Sequence, residues 1–216
     1  MSNQSINFLQ RFGEGKIPEH IEKPVYESNK YDNIRAYLNS KYATKEYADR
    51  IKHDPDERHI YYGSRFATDE ELSDLLKSNL FDPGGEYYSW HAAAQNPYLK
   101  EEHLGIMLNS SNPVVRTYAA KHKNATTEQL DRALNDNYWY VRKLAAANQN
   151  INSDQINKAL SDSNPNVRHN VAYNVNLQKH QLLNLLQDEN LNVRRAALRN
   201  INYDKYFPYG HESEIK

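Results

Sequence analysis

Apolar side chains recur through the second half of the chain at the spacing of a helical face. Leu130, Ala133 and Leu134 stand at i, i+3 and i+4, and the trio returns as Leu104, Met107 and Leu108, as Ile156, Ala159 and Leu160, and as Leu182, Leu185 and Leu186. Such a stripe is the buried face of an amphipathic helix. A second stripe follows each of these, as in Val115, Ala119 and Ala120 or Val167, Val171 and Ala172, and its small residues allow neighbouring helices to approach closely. Start signals agree with this pairing. Thr126 with Gln129, and Thr68 with Glu71, have the spacing of a capping box, while Asn112-Pro113 and Asn164-Pro165 offer an N-cap followed by proline at the first helical position. Helices of roughly 8–10 residues are marginal alone in water, so packing between neighbours has to stabilise them.

The two-helix pattern has a period. Cutting after each Val-Arg pair gives four consecutive blocks, 91–116, 117–142, 143–168 and 169–194, each of 26 residues without a gap. Upstream, residues 54–76 align with 112–134, placing Arg58 on Arg116 and Thr68 on Thr126, and this block carries about six extra residues around 81–90. A more degenerate unit spans 35–51, and a further block starts at 195 and stops. The expected organisation is an N-terminal extension over 1–34, degenerate repeats over 35–90 with an insertion near 81–90, four regular repeats over 91–194, and a C-terminal cap and tail over 195–216. About six repeats of this kind predict an all-α fold, a right-handed alpha-solenoid in which each repeat contacts only its neighbours.

The recurring pattern of Asn, Leu, Asp, Val-Arg and paired alanines resembles the leucine-rich repeat variant and related HEAT-like repeats. It matches 91–194 well, 35–90 loosely, and 1–34 and 204–216 not at all. In HEAT-like families an Asp six residues before an Arg forms a ladder between successive repeats, and the resemblance extends that role to Asp136 and Arg142, Asp162 and Arg168, and Asp188 and Arg194. The first regular block departs from it, with Ser110 before Arg116. The resemblance implies a binding scaffold, since such solenoids carry function in surfaces grafted onto the repeat.

Composition narrows the chemistry. The chain of 216 residues has no cysteine, which excludes a disulfide framework, thiolate metal sites and a cysteine nucleophile. Mean hydropathy is -0.96, and no apolar run approaches the roughly 18 residues of a membrane span. A cytoplasmic protein without membrane partners is expected. The net charge of -1 is divided unevenly. Residues 1–90 carry 12 basic and 16 acidic side chains, and residues 91–216 carry 15 and 12. Neither H-E-x-x-H nor a glycine-rich phosphate loop occurs, and no cofactor, metal or catalytic set is expected.

Candidate sites are positions that the repeat itself does not require. The Val-Arg series Arg116, Arg142, Arg168 and Arg194 can be read as a phosphate-binding comb or as a structural ion-pair ladder beside the recurrent Asp, and the second reading is the more economical. The paired asparagines at 148 and 150, 174 and 176, and 200 and 202 are expected to serve turn geometry, through tolerance of left-handed backbone and through bonds to nearby backbone. The basic residues that vary between blocks, Lys121, Lys143, Arg195 and Arg199, with His91 and His169 at the block position of Lys143 and Arg195, fall along one ridge. Tyr138, Trp139 and Tyr140 replace the Asn-Pro slot of the other blocks, and Tyr87, Tyr88 and Trp90 lie at the insertion. Exposed aromatics beside cations suit a protein partner or stacked bases. The expected partner-binding surface is therefore Tyr138, Trp139, Tyr140, Lys143, His169, Arg195 and Arg199, with Tyr87, Tyr88 and Trp90 as a second patch. The expected function is a non-enzymatic scaffold that binds a protein. The alternative is nucleic-acid binding by the basic C-terminal face, in the manner of HEAT-like alkylpurine DNA glycosylases, against which the near-neutral charge weighs.

Overall fold

The computed structural model describes residues 30–77 and 87–210; the expected N-terminal extension up to residue 29, most of the insertion and the tail from 211 lie outside them. Among the described residues the chain is all-helical, with fourteen helices and no strand. It divides into two compact units, residues 1–99 and 100–216.

The first unit contains α1 (Lys30–Leu38), α2 (Lys45–His53), α3 (Arg58–Tyr62), α4 (Asp69–Lys77) and α5 (Tyr87–Ala94). Its core gathers Ile34, Tyr37, Leu38, Ala48, Ile51, Ile60 and Tyr61. The tyrosines are accommodated there because each hydroxyl finds an acceptor: Tyr37 donates to the Tyr42 carbonyl, and Tyr61 donates to the Phe66 carbonyl and to Glu71 at 2.7 Å. Glu71 also pairs with Lys52 and closes the Thr68 capping box at the start of α4, accepting the Thr68 N–H while the Thr68 hydroxyl accepts that of Glu71.

The second unit repeats one hairpin four times: α6 (Glu101–Leu108) with α7 (Pro113–Lys121), α8 (Thr127–Leu134) with α9 (Trp139–Ala146), α10 (Ser153–Leu160) with α11 (Pro165–Val171), and α12 (Lys179–Leu186) with α13 (Leu191–Ala197). A short α14 (Tyr203–Tyr206) follows. The first helices pack in one row, α6 on α8 on α10 on α12, and the second helices in another, α7 on α9 on α11 on α13. Each stripe read from the sequence is buried. The capping box of Thr126 and Gln129 forms with both bonds, and Asn112 and Asn164 cap the proline-led helices by accepting the N–H two residues on.

Three sets of polar bonds fasten each hairpin of this unit to the next. The first is the guanidinium fork. Arg142 donates Nε and Nη2 to Asp162 at 2.7 and 3.1 Å, and Arg116–Asp136 and Arg168–Asp188 repeat the geometry. The expected ladder between successive repeats forms, but the pair of Asp136 with Arg142 is corrected: Arg142 takes only the backbone carbonyl of Asp136, through Nη1 at 2.9 Å, and its carboxylate partner, Asp162, lies 20 residues ahead. The second set is amide to carbonyl. Asn148 Nδ2 donates to the carbonyls of Ala120 and His122, and Asn200 to those of Ala172 and Asn174. The third comes from the first helices, where Gln129, Gln155 and Gln181 donate to the carbonyls of Glu101, Thr127 and Ser153. The expectation that the paired asparagines adopt left-handed backbone is also corrected: no described residue other than glycine has positive φ. The expected bonds to nearby backbone do form, Asn148, Asn174 and Asn200 each accepting the N–H two residues on, and their amides also satisfy the preceding hairpin's carbonyls, as do those of Asn150 and Asn202 one step along. Buried carbonyls at every inter-helix corner require a donor, and a short rigid amide supplies it without a charge.

Candidate partner-binding ridge

The second unit carries the first candidate surface on its row of second helices. Where Asn112, Asn164 and Asn190 cap α7, α11 and α13 through their side chains, the corresponding residue of α9 is Tyr138, which makes no side-chain cap bond. Replacing such a cap costs on the order of 1 kcal/mol. What stands there instead is an aromatic cluster. Tyr138 lies 6.2 Å from Trp139 and 6.4 Å from Tyr140, ring centre to ring centre, and Trp139 meets Tyr140 edge to face at 5.4 Å. Tyr138 and Tyr140 are exposed, at 40% and 38%, and Trp139 is half-buried.

Cations continue from this cluster. Lys143, one turn along α9, places its ammonium 5.2 Å from the Tyr140 ring. His169 on α11 has its pKa lowered, first by burial and then by the positive charges of Lys143 on α9 and of Arg199 just past the end of α13. A fourth aromatic joins them that the sequence reading passed over: Tyr173, exposed, meets His169 edge to face at 5.3 Å. The signal was there, because Tyr173 follows His169 by four residues and occupies the block position of Lys121 and Arg199. Lys121 lies over the Tyr118 ring at 4.2 Å, a further pairing of the same kind on α7. Arg195 is exposed on α13 one turn before Arg199, at the block position of Lys143 and His169.

The arginine series sits apart from this strip. The three forks are mostly buried with their carboxylates, Arg168 and Asp188 being 9% and 7% exposed. Burial alone would raise the pKa values of Asp136, Asp162 and Asp188. The facing guanidinium and the N–H of the residue two positions on outweigh it, and all three are lowered. Arginines held in this way are hydrogen-bonded structural elements, and a comb of phosphate contacts through Arg116, Arg142 and Arg168 is not supported.

The second patch belongs to the first unit and is corrected in part. Trp90 is 1% exposed, sharing the buried stripe of α5 with Ala93 and Ala94, where that helix packs on α3. It is core, not surface. Tyr88 is 71% exposed, its ring 6.3 Å from that of His59, and the Tyr87 side chain lies outside the described residues. His59 has its pKa lowered by burial and by Arg35 and also meets Tyr31 at 5.4 Å. His91 contacts Gln95, just past the end of its helix. No helix among the described residues is long and apolar enough to cross a membrane.

Against known proteins, no family model matches the chain, and no curated protein or solved structure matches it either.

Proposed function

We propose that this chain is a non-enzymatic scaffold, a right-handed alpha-solenoid of HEAT-like repeats, and that it binds a protein partner through the ridge of Tyr138, Trp139, Tyr140, Lys143, His169, Arg195 and Arg199, to which Tyr173 is added. The observation that carries the reading is the exchange at the start of α9: an Asn-Pro cap that the fold uses elsewhere is replaced by three aromatics, two of them exposed. Stability gives no reason for the exchange, whereas recognition does. Large rigid rings beside a polar, cationic rim concentrate binding energy in a few residues. The solenoid reading is supported by the two rows of helices and by bonds that run from each hairpin to the next.

The test begins with capture of a partner by the wild-type chain and continues with the double variant Trp139→Pro, Tyr140→Asn, which carries the residues of the 164–166 slot. Its melting temperature should hold while affinity for the captured protein falls by about 2 kcal/mol or more, the magnitude of hot-spot truncation. Unchanged affinity in a folded variant would remove the ridge from the reading. Titration with a DNA oligomer at several salt concentrations separates the rival class. A steep log–log dependence would mark phosphate contacts and transfer the function to nucleic-acid binding.

A further inference from the structure

Charge in the second unit is sorted by row. The second helices with the turns that follow them, residues 113–124, 139–150, 165–176 and 191–202, together hold nine Lys and Arg side chains and no Asp or Glu. All nine acidic side chains between 100 and 202 fall instead on the first helices and the corners leading out of them, beside four basic ones. The forks match Arg116, Arg142 and Arg168 to carboxylates of their own, and this leaves six cations on the second-helix row. None of the six meets a carboxylate among the described residues.

The charges also keep the period of the fold. Lys143, His169 and Arg195 hold one block position in three consecutive hairpins, and Lys121, Tyr173 and Arg199 hold another, four residues later. The helices that carry the first set, α9, α11 and α13, pack side by side in sequence, which separates neighbouring members by about 8–10 Å. A regularly spaced cationic series with no acid on its row selects an anionic partner, which meets attraction along its whole length.

Two kinds of polyanion could answer, and the rings choose between them. Bases stack on free ring faces. Here the Lys143 ammonium lies over one face of Tyr140, that of Lys121 over one face of Tyr118, and Trp139 meets Tyr140 edge to face. What each Lys–Tyr pair supplies is a phenol hydroxyl beside an ammonium, two donors suited to a carboxylate. The spacing restricts the backbone that bears those carboxylates. A polyproline II chain has three residues per turn and rises about 3.1 Å per residue, so every third side chain points the same way about 9 Å further on. A β-strand would turn alternate members of that series to its opposite face. A second copy of this chain is the poorer occupant, because its acid-bearing row also carries Lys100, Arg132, Lys158 and Lys179, and Lys158 already holds Asp131.

We propose that the partner presents to the ridge an acidic segment in polyproline II form, with a carboxylate at every third residue, lying across α9, α11 and α13 so that successive carboxylates meet Lys143, His169 and Arg195. The inference rests on the ridge reading and adds the chemistry of what the ridge holds.

Fluorescence anisotropy of labelled peptides with the full chain tests it. A peptide of four Glu-Pro-Pro repeats should bind about tenfold or more tightly than four Gln-Pro-Pro repeats, and more tightly than four Glu followed by eight Pro, which has the same charge without the spacing. Lys143→Glu combined with Arg195→Glu should weaken binding by about tenfold or more at unchanged melting temperature, whereas Lys158→Glu on the first-helix row should bind like wild type. Equal binding of either control peptide, or no binding of the Glu-Pro-Pro peptide, would overturn the proposal. So would tighter binding of a twelve-nucleotide oligo-dT, which gives the ridge to nucleic acid, or self-association that vanishes in the charge-reversed chain, which gives it to a second copy. A captured partner that stays on the charge-reversed chain but leaves the Trp139→Pro, Tyr140→Asn variant would overturn the acidic occupant and leave the ridge standing. One that leaves the charge-reversed chain but stays on the aromatic variant would keep the acidic occupant and remove the aromatic anchor.

Discussion

The two units solve the same problem, fastening short helices together, by different means. In the second unit each hairpin is tied to its neighbour by copies of three bonds: a guanidinium fork on a carboxylate, an asparagine on two carbonyls, and a glutamine on a carbonyl. In the first unit the ties are individual. Glu71 alone receives Lys52, the Tyr61 hydroxyl and the Thr68 N–H, and tyrosines take the place of small residues in the core. Asn96, which donates to the carbonyls of Tyr62 and Ser64, reproduces a bond of the regular ladder there. A strict period lets one solution be copied, whereas an insertion near 81–90 and helices of five to nine residues force each contact to be found separately. Damage should accordingly spread in one unit and remain local in the other.

The largest expected effect breaks the ladder. Arg142→Ala removes a fork whose carboxylate, on Asp162, is 9% exposed, and it should lower stability by about 3 kcal/mol, the low end for leaving a buried charge without its partner. Amide hydrogen exchange should show faster opening in both α9 and α11, and protection unchanged in α1–α5. Equal loss of protection in both units would erase the distinction drawn between them.

Next in size is the hub of the first unit. The pKa of Glu71 is pulled down to about 2, because hydrogen bonds from Lys52, Thr68 and Tyr61 overcome a burial effect that would raise it. A depressed carboxylate contributes stability above its ordinary pKa and loses it as pH falls through the folded value. The contribution should therefore be complete at neutral pH and disappear between about 4.5 and 2. Glu71→Gln should cost about 2 kcal/mol at pH 7 and progressively less in acid, read by urea denaturation of both proteins across that range. Asp136, Asp162 and Asp188 are also depressed and fail in the same acid direction, so acid alone does not separate the units, and the variant is needed.

The smallest effect has the opposite sign. Tyr138→Asn restores the side-chain cap that α7, α11 and α13 possess and should raise stability by about 1 kcal/mol. If the variant melts lower than wild type, Tyr138 is packing material and the cost argument for the ridge fails.

Much of the second unit was legible before any coordinates. The apolar trios, the capping box at Thr126 and the Asn-Pro starts fixed two helices per 26 residues, because these signals act within a turn or two of themselves. What was misread acts across repeats. Asp136 was paired with Arg142 because they are six residues apart, whereas the fork reaches forward to Asp162. The asparagine pairs do serve the turns through local bonds, but what the sequence does not disclose is that their amides also reach back 25 to 28 residues to another hairpin's carbonyls. Trp90 was placed on the surface because the insertion obscured its phase, and phase decides burial for a residue beside Ala93 and Ala94. Of the ridge, Tyr138, Tyr140, Lys143, His169 and Arg199 were found as departures from the repeat. Tyr173 stands out less, because it brings a ring, not a charge, to the block position of Lys121 and Arg199.

The ladder bonds also give the second unit a direction. Forks reach forward along the chain and amides reach back, so every hairpin presents one kind of edge ahead of it and the complementary kind behind. Excising residues 143–168 would bring Arg142 to the same 20-residue distance from Asp188 that it now keeps from Asp162. The two new edges would then match like couplings of identical railway carriages. The length of this half of the molecule is thus a quantity that in-frame gain or loss of whole blocks can adjust, with no new interface to invent at the joint.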